Sequence, residues 1–310
     1  MAFFVRTRPA DVIGNFIMSL FRAMAAAVCL MLAWTCGAHA SDSARDGWST
    51  EEVSFRSADG VGLSGSLIVP RDGPALAVVV LGQGSGPVER YTALASLMAL
   101  HAIAVLTYDK RGVGQSGGSY QRTDDISAAN LALLASDAAA AMQWVSNSSR
   151  VRSLPGGFVA ISQSGWVVPM ALAKSPAVDF IGFWSGPTCT TSEQLQFQHF
   201  SAEHESDRSR MTDSEISVAM RHVDYRPDDI DPLSQLTAVS IPGLWLFGGQ
   251  DPYLPIELST RRLQKLIDNG RSNFEYRVFT EEGHNLADSP KQASFIAMID
   301  WIERIAASRR

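Results

Sequence analysis

The chain has 310 residues, of which 46% are hydrophobic and 19% charged, and its formal net charge is −6. This length and composition allow one large domain or two small ones with a sizeable core. The acidic balance argues against a nucleic-acid partner, and no block of like charges is long enough to act as a binding tail.

The first 40 residues have the pattern of an export signal. Several arginines accompany an apolar run over residues 23–34, which is too short to span a bilayer as a stable helix. An Ala-x-Ala cleavage signal ends at Ala40, directly before Ser41. We therefore expect cleavage near Ala40 and release to the periplasm or the medium, with no stable membrane span in the mature chain. A membrane anchor that stays attached is the alternative.

Cleavage would leave Cys189 as the single cysteine, because Cys29 and Cys36 lie in the first 40 residues. No intrachain disulfide is then possible, so the hydrophobic core must hold the fold together. We expect residues 41–310 to form one domain.

Apolar and alternating runs predict eight strands and the helices between them. The predicted strands lie at 53–56, 63–69, 75–81, 102–108, 158–161, 178–184, 243–247 and 274–279. The predicted helices lie at 89–100, 126–145, 166–173, 256–267 and 291–305. The first two strands form an antiparallel hairpin, and the later alternation of strand and helix predicts a mostly parallel sheet covered on both faces. In such sheets the chemistry lies at the carboxyl ends of the strands.

A polar and charged segment of helical pattern follows the sixth predicted strand. We call residues 187–231 the cap segment and expect it to form helices over the carboxyl ends of the strands. Phe197 and Phe200 are three residues apart and can share one helix face. They would either line a small acyl pocket or anchor the cap segment to the core.

The stretch from Gly157 to Trp166 predicts a strand, a sharp turn and a helix, with Ser162 at the apex of the turn. Ala160 and Ser164, two residues before and after it, are small, as a nucleophile elbow requires. The turn would hold the Ser162 hydroxyl clear of the sheet, and the helix start would place N–H groups near a developing oxyanion. An ordinary serine that caps a helix is the alternative.

Glycine-rich loops follow the third and fourth predicted strands. Residues 82–87 allow an oxyanion-hole loop, in which an N–H near Ser85 pairs with that of Gln163, or a dinucleotide loop that uses Asp109. We favour the oxyanion loop, because the dinucleotide fingerprint needs a third glycine where a proline stands. A plain glycine turn is the third interpretation. The next loop allows Asp109 and Arg111 to pair and brace the backbone, which we favour over direct catalysis by either residue.

An acid and a histidine follow the last two predicted strands. Asp251 taken alone indicates an Asp-Pro turn, and a lone histidine in a loop usually has no role. Of the six histidines, however, only His284 lies at a late strand end. The order Ser162, Asp251, His284 is the order of serine, acid and histidine in α/β-hydrolases.

The chain resembles the α/β-hydrolases, in the serine carboxylesterase branch near the prolyl-oligopeptidase-like esterases. The motifs that carry the resemblance run through nearly the whole mature chain: LGQGSGPVER, YDKRGVGQSGG, AISQSGWVVP, LWLFGGQD and EEGHNL. The resemblance implies that Ser162 is the nucleophile, Asp251 the acid and His284 the base, and that Ser85 and Gln163 supply the oxyanion N–H groups.

This chain departs from the family pattern at two pairs of positions. Gln83 and Ile161 stand where the family often has histidine, and Ala160 and Ser164 replace the elbow glycines. These changes bear on substrate and rate more than on the triad.

The expected function is that of an exported serine hydrolase that cleaves short-chain carboxylic esters, needs no cofactor and acts on a small-molecule ester. No metal site is expected either, since His199 and His204 are five residues apart and do not share a helix face. A peptidase or acyltransferase with the same triad, a catalytically silent binding protein on the same fold, and a nicotinamide enzyme are the alternatives. The sequence leaves the oligomeric state open.

Overall fold

The computed structural model describes residues 47–121, 125–175 and 178–309. The predicted export signal, residues 1–40, lies outside the described residues. Within the described residues, no helix is long and apolar enough to cross a bilayer.

In the described part of the chain, eight strands form one sheet. The strands are β1 Trp48–Arg56, β2 Gly62–Pro70, β3 Ala77–Gly82, β4 Ile103–Tyr108, β5 Gly156–Ile161, β6 Phe180–Trp184, β7 Gly243–Gly248 and β8 Phe274–Phe279. Their order in the sheet is β1-β2-β4-β3-β5-β6-β7-β8. The first strand pairs antiparallel with the second and the second with the fourth, while every other neighbouring pair is parallel. The predicted mostly parallel sheet is therefore confirmed.

Helices cover both faces of this sheet, as predicted. They are α1 Thr92–Leu100, α2 Ala128–Asn147, α3 Ser164–Leu172, α4 Thr191–Glu203, α5 Asp213–Ala219, α6 Pro232–Leu236, α7 Ile256–Asp268 and α8 Ala293–Ser308. Alternate residues of β3 point to opposite faces: Val78 belongs to a hydrophobic cluster that includes residues of α2, α3 and α7, and Val79 belongs to a second cluster with residues of α1 and α8. Because both faces are apolar, the inner strands read as continuous hydrophobic runs.

Helix α1 begins at Thr92, three residues later than its sequence pattern predicts. The Arg90 N–H donates to Asp109 Oδ1 at 3.0 Å, and the Tyr91 N–H donates to Thr107 Oγ1 at 2.8 Å. Both acceptors lie at the end of β4 or directly after it. The first N–H groups of a helix have no partner within the helix. Here the N–H groups of Arg90 and Tyr91 have partners at the end of β4, and these bonds hold the segment before α1 in a non-helical conformation.

The cap segment contains α4, a short 3-10 turn at Arg208–Arg210 and α5. The cap segment has a small hydrophobic core that is separate from the core of the sheet. It contains Phe197, Met211 and Ile216, and Phe200 packs against it. The two phenylalanines therefore form the interior of the cap segment. The Ser201 hydroxyl donates to the carbonyl of Pro252 at 2.6 Å, which attaches α4 to the loop after β7.

Arg262 on α7 holds both ends of the cap segment. Its guanidinium lies 3.2 Å from Glu193 Oε1 and 2.7 Å from Asp231 Oδ2. Its Nε donates to the carbonyl of Thr188 at 3.0 Å. One side chain thus fixes the entry and the exit of the segment to the same helix.

Candidate active site

The backbone turns sharply at Ser162, between the end of β5 and the start of α3. Its φ of 49° is left-handed, a conformation that costs a residue with a side chain roughly 1–2 kcal/mol. The residue before α3 is Gln163, which makes no side-chain capping bond. Ser162 is therefore an elbow residue and not a helix cap.

Small residues around the elbow let β3 and β5 approach it closely. A Cβ on Gly82 would lie 2.9 Å from Cβ of Ser164 and 3.2 Å from Cβ of Ala160. The Ser164 hydroxyl donates to the carbonyl of Gln83 at 2.6 Å. The two positions that the sequence marks as small thus set the spacing between the elbow and the loop after β3.

Ser162, His284 and Asp251 form one continuous chain of hydrogen bonds. His284 Nε2 lies 2.9 Å from Ser162 Oγ, and His284 Nδ1 lies 2.6 Å from Asp251 Oδ2. Since a carboxylate only accepts, Nδ1 carries the proton and Nε2 is free to accept the serine proton. The structure thus brings together three side chains that the sequence places up to 122 residues apart.

Asp251 is fully buried, and the other oxygen of its carboxylate is also used. Asp251 Oδ1 accepts from the N–H of Tyr253 at 2.7 Å and from the N–H of Leu254 at 3.1 Å. Because both oxygens are bound, the carboxylate cannot turn away from His284. The imidazole is held in one orientation.

Two residues that the sequence did not single out also position the histidine. The Ser185 hydroxyl donates to the carbonyl of His284 at 2.7 Å. The ring of Tyr253 meets the imidazole edge-on, with 5.2 Å between centroids. Ser185 follows β6 directly. Its position at a strand end is the sequence feature that marks it as a candidate site residue.

The loop after β3 runs beside the Ser162 side chain. A Cβ on Gly84 would lie 3.7 Å from Cβ of Ser162, and the Gly84 N–H donates to Tyr91 Oη at 3.2 Å. Within the described part of the chain, the N–H groups of Ser85 and Gln163 donate to no acceptor. They are the two N–H groups that the family resemblance assigns to an oxyanion hole.

Solved structures with the same architecture are hydrolases of several kinds. An esterase of Pyrococcus furiosus is 16% identical, over 86% of this chain and 92% of that one, with a TM-score of 0.58. The acylaminoacyl peptidase of Pyrococcus horikoshii is 16% identical, over 84% of this chain and 41% of that one, with a TM-score of 0.59. A lipase in an open form is 15% identical, over 83% and 99%, with a TM-score of 0.60.

The chain has the α/β-hydrolase fold. This confirms the fold that the sequence motifs indicated. No model of a protein family matches the sequence, and no curated protein matches it. At identities of 15–16% the likeness concerns the fold alone.

A buried lysine contacts the loop after β3. Lys110 Nζ donates to the carbonyl of Gly84 at 2.6 Å and to Gln163 Oε1 at 3.0 Å. Burial lowers the pKa of Lys110 from 10.5 to about 8, although Asp125 opposes the shift. The sequence analysis assigned no role to Lys110, because both partners come from distant parts of the chain.

Asp109 and Arg111 do not pair with each other, contrary to the expectation from their spacing. Arg90 contacts both oxygens of Asp109 at 2.8 and 3.0 Å. Arg111 instead binds Asp137 at 2.6 Å and Asp59 at 2.9 Å. Both residues still brace the loop after β4, each through a partner from another element.

These contacts also weigh against the dinucleotide interpretation. Burial alone would raise the pKa of Asp109, but the bonds from Arg90 hold it below its ordinary value. The Gln115 N–H donates to Asp109 Oδ2 at 3.0 Å as well. Asp109 is therefore committed to structural partners and is not free for a ribose hydroxyl.

A cavity of about 430 Å³ opens beside His284. Apolar side chains of Ile161, Trp184 and Leu286 form part of its wall, together with the polar Tyr91 and Asp288. Phe197 and Phe200 are not among its lining residues. Phe197 instead lines a separate cavity of about 260 Å³ between the cap segment and α7.

Proposed function

We propose that the protein is an exported serine hydrolase that cleaves short-chain carboxylic esters. The observation that carries the proposal is the continuous chain of hydrogen bonds from Ser162 through His284 to the buried Asp251. The left-handed backbone of Ser162 supports it further, because a strained serine at a strand-to-helix turn is the mark of a nucleophile elbow.

In the proposed reaction, Ser162 Oγ attacks the ester carbonyl carbon while His284 Nε2 takes the serine proton. The N–H groups of Ser85 and Gln163 donate to the oxygen that becomes negative, and Asp251 stabilises the imidazolium. The C–O bond to the alcohol then breaks, and the alcohol leaves with the proton from His284. This leaves an acyl group on Ser162.

Water completes the cycle. His284 takes a proton from water as the water oxygen attacks the acyl carbon, and the acid leaves as the proton returns to Ser162. Each oxyanion N–H group is expected to contribute about 3–4 kcal/mol to the barrier reduction. The residues of this chain supply every group that the reaction needs.

The proposed preference for short, soluble esters rests on the site and the cap segment. The cavity of about 430 Å³ beside His284 has the size for a small molecule, although Ser162 itself is not part of its wall. The cap segment keeps its largest apolar side chains in its own core. A lid that binds an oil surface needs a large exposed apolar face. We therefore expect hydrolysis to fall with acyl length and to show no jump at an emulsion.

Substitution of the nucleophile tests the proposal directly. We expect Ser162→Ala to lose at least about 10³-fold in kcat/KM on a short-chain ester, because the acyl-enzyme cannot form. The measurement is a rate series from acetyl to palmitoyl esters, together with labelling by a fluorophosphonate probe. Ser234→Ala, at an exposed serine of α6, is the matched control and should keep both activity and labelling.

Full ester hydrolysis by Ser162→Ala would overturn the assignment. Failure of the native protein to label would instead favour a catalytically silent binding protein. The likeness to an acylaminoacyl peptidase supports one further candidate, a peptidase with the same triad. Peptide and thioester substrates, compared with simple esters at equal enzyme concentration, separate the peptidase and acyltransferase from the esterase.

A further inference from the structure

Lys110 contacts the two chain segments that would bind the oxyanion. Its ammonium donates to the Gly84 carbonyl at 2.6 Å and to the Gln163 side-chain oxygen at 3.0 Å. Resting on the proposed function, we propose that Lys110 is a positioning residue. It fixes the Gly84–Ser85 peptide and Gln163 and places a positive charge behind their oxyanion-binding N–H groups.

The first contact orients the Ser85 N–H. The Gly84 carbonyl and the Ser85 N–H belong to one trans peptide, so they point in opposite directions. When Lys110 holds the carbonyl on one side, the N–H is directed away from Lys110. A cation on the carbonyl also polarises the peptide, which makes its N–H a stronger donor.

The second contact fixes the residue after the nucleophile. The buried Gln163 side chain accepts from Lys110 through Oε1 and donates through Nε2 to the Asp125 carbonyl at 2.8 Å. With both ends bound, the side chain cannot turn, and the Gln163 backbone is held beside Ser162. The Asp125 carboxylate also accepts from the Gly86 N–H at 3.4 Å, so the oxyanion loop is held from this side too.

Lys110 carries a charge in a place where a charge is costly. Its side chain is 1% exposed, and its direct acceptors are neutral oxygens. The ring of Tyr120 lies 5.7 Å from Nζ, and among the described residues Asp125 is the carboxylate whose charge raises the pKa of Lys110. Its chain neighbours Asp109 and Arg111 are paired with other residues. An apolar side chain would avoid the desolvation penalty, so a role that needs charge accounts for a cation at this position.

Burial lowers the pKa of Lys110 to about 8, which makes the role testable by pH. Below that pH the ammonium is present, and above it the residue becomes a neutral amine that can still donate to its two acceptors. If the charge behind the N–H groups matters, kcat must fall as the pH rises through about 8, while the hydrogen bonds persist.

The experiment compares the native protein with Lys110→Met, which removes charge and donors, and Lys110→Gln, which keeps a neutral donor. Lys174→Met, at an exposed lysine, is the matched control. We expect both Lys110 variants to lose about 10-fold or more in kcat, with KM within about 2-fold, since the interaction forms fully only in the transition state. The fall in kcat near pH 8 should be present in the native protein and in Lys174→Met. It should be absent in both Lys110 variants.

The outcomes separate this proposal from the proposed function. Native kcat and an unchanged alkaline fall in Lys110→Gln would overturn the role of Lys110, while loss of activity in Ser162→Ala would still support the hydrolase. Loss of kcat together with a large rise in KM and a lower melting temperature would show a merely structural lysine. If Lys110→Met fails to fold, the pH profile of Lys110→Gln decides. A native protein that neither labels nor hydrolyses esters would overturn the proposed function instead.

Discussion

At the residue scale, Ser162 shows a conflict between function and stability. Its left-handed φ of 49° holds the hydroxyl toward His284. In that conformation Cβ crowds the following carbonyl oxygen, at a cost of roughly 1–2 kcal/mol for a residue with a side chain. The backbone conformation that positions the hydroxyl therefore lowers the free energy of unfolding.

This conflict predicts a difference between two inactive variants. We expect Ser162→Gly to be more stable than Ser162→Ala by about 1 kcal/mol, because glycine adopts positive φ without strain. Urea unfolding measures the difference. The same pair at Ser234, which lies in helix α6, is the control and should show the opposite order, since glycine is poor within a helix. Equal stability of the two Ser162 variants would contradict the strain.

At the element scale, Arg262 of α7 attaches both ends of the cap segment to the rest of the fold. Arg262 contacts Glu193 and Asp231, at the two ends of the segment. Because Arg262 and Glu193 are largely shielded from water, removal of the arginine leaves a carboxylate without its partner. The cap segment should then open more often than the rest of the fold.

We expect Arg262→Met to be cleaved by protease within residues 187–231 about 10-fold faster than the native protein, at protease concentrations that leave the sheet intact. Arg261→Met, at the exposed neighbouring arginine, is the matched control and should cleave like the native protein. Limited proteolysis followed by mass spectrometry gives the sites and rates. Equal cleavage in the two variants would show that Arg262 does not hold the segment.

The elements that sequence predicts well are those whose pattern is local. The strands β3 to β6 appear as apolar runs because helices cover both faces of the sheet. The start of α1 was predicted too early, because the bonds that delay it come from the end of β4. The spacing of apolar residues along the sequence does not reveal hydrogen-bond acceptors that lie far away in the chain.

The same distinction applies to the site. Ser162, Asp251 and His284 are predictable because each follows a strand at the edge where chemistry occurs. Lys110 was missed because its acceptors lie 26 and 53 residues away. Likewise, the pairing of Asp109 with Arg111 was wrong, because the partners of both residues come from other elements.

At the scale of the whole molecule, the described part of the chain contains no disulfide and depends on its hydrophobic core. Cys189 is a free and fully buried thiol, and burial raises its pKa to about 12. A thiol reacts as the thiolate, so Cys189 should be inert in the folded protein. The predicted loss of the first 40 residues would remove the other two cysteines.

Thiol counting therefore tests export processing. We expect the exported protein to begin at Ser41, to show no thiol reactive toward a disulfide reagent when folded, and to show one when denatured. The unprocessed chain should show three when denatured and reduced, the number of cysteines in the full sequence. Mass spectrometry of the exported protein gives the N-terminus directly. An intact residue 1 together with three thiols would refute the predicted cleavage.

The order of the strands has a consequence for biosynthesis. Ser162 follows β5, whereas Asp251 and His284 follow β7 and β8, the last two strands of the sheet. Chain elongation at about 5–20 residues per second would deliver His284 roughly 6–24 s after Ser162. On the proposed function, the nascent chain in that interval holds Ser162 without its base and is expected to be inactive toward esters. The proposed hydrolytic activity would then report complete folding, because the last parallel strand must join the sheet before His284 reaches Ser162.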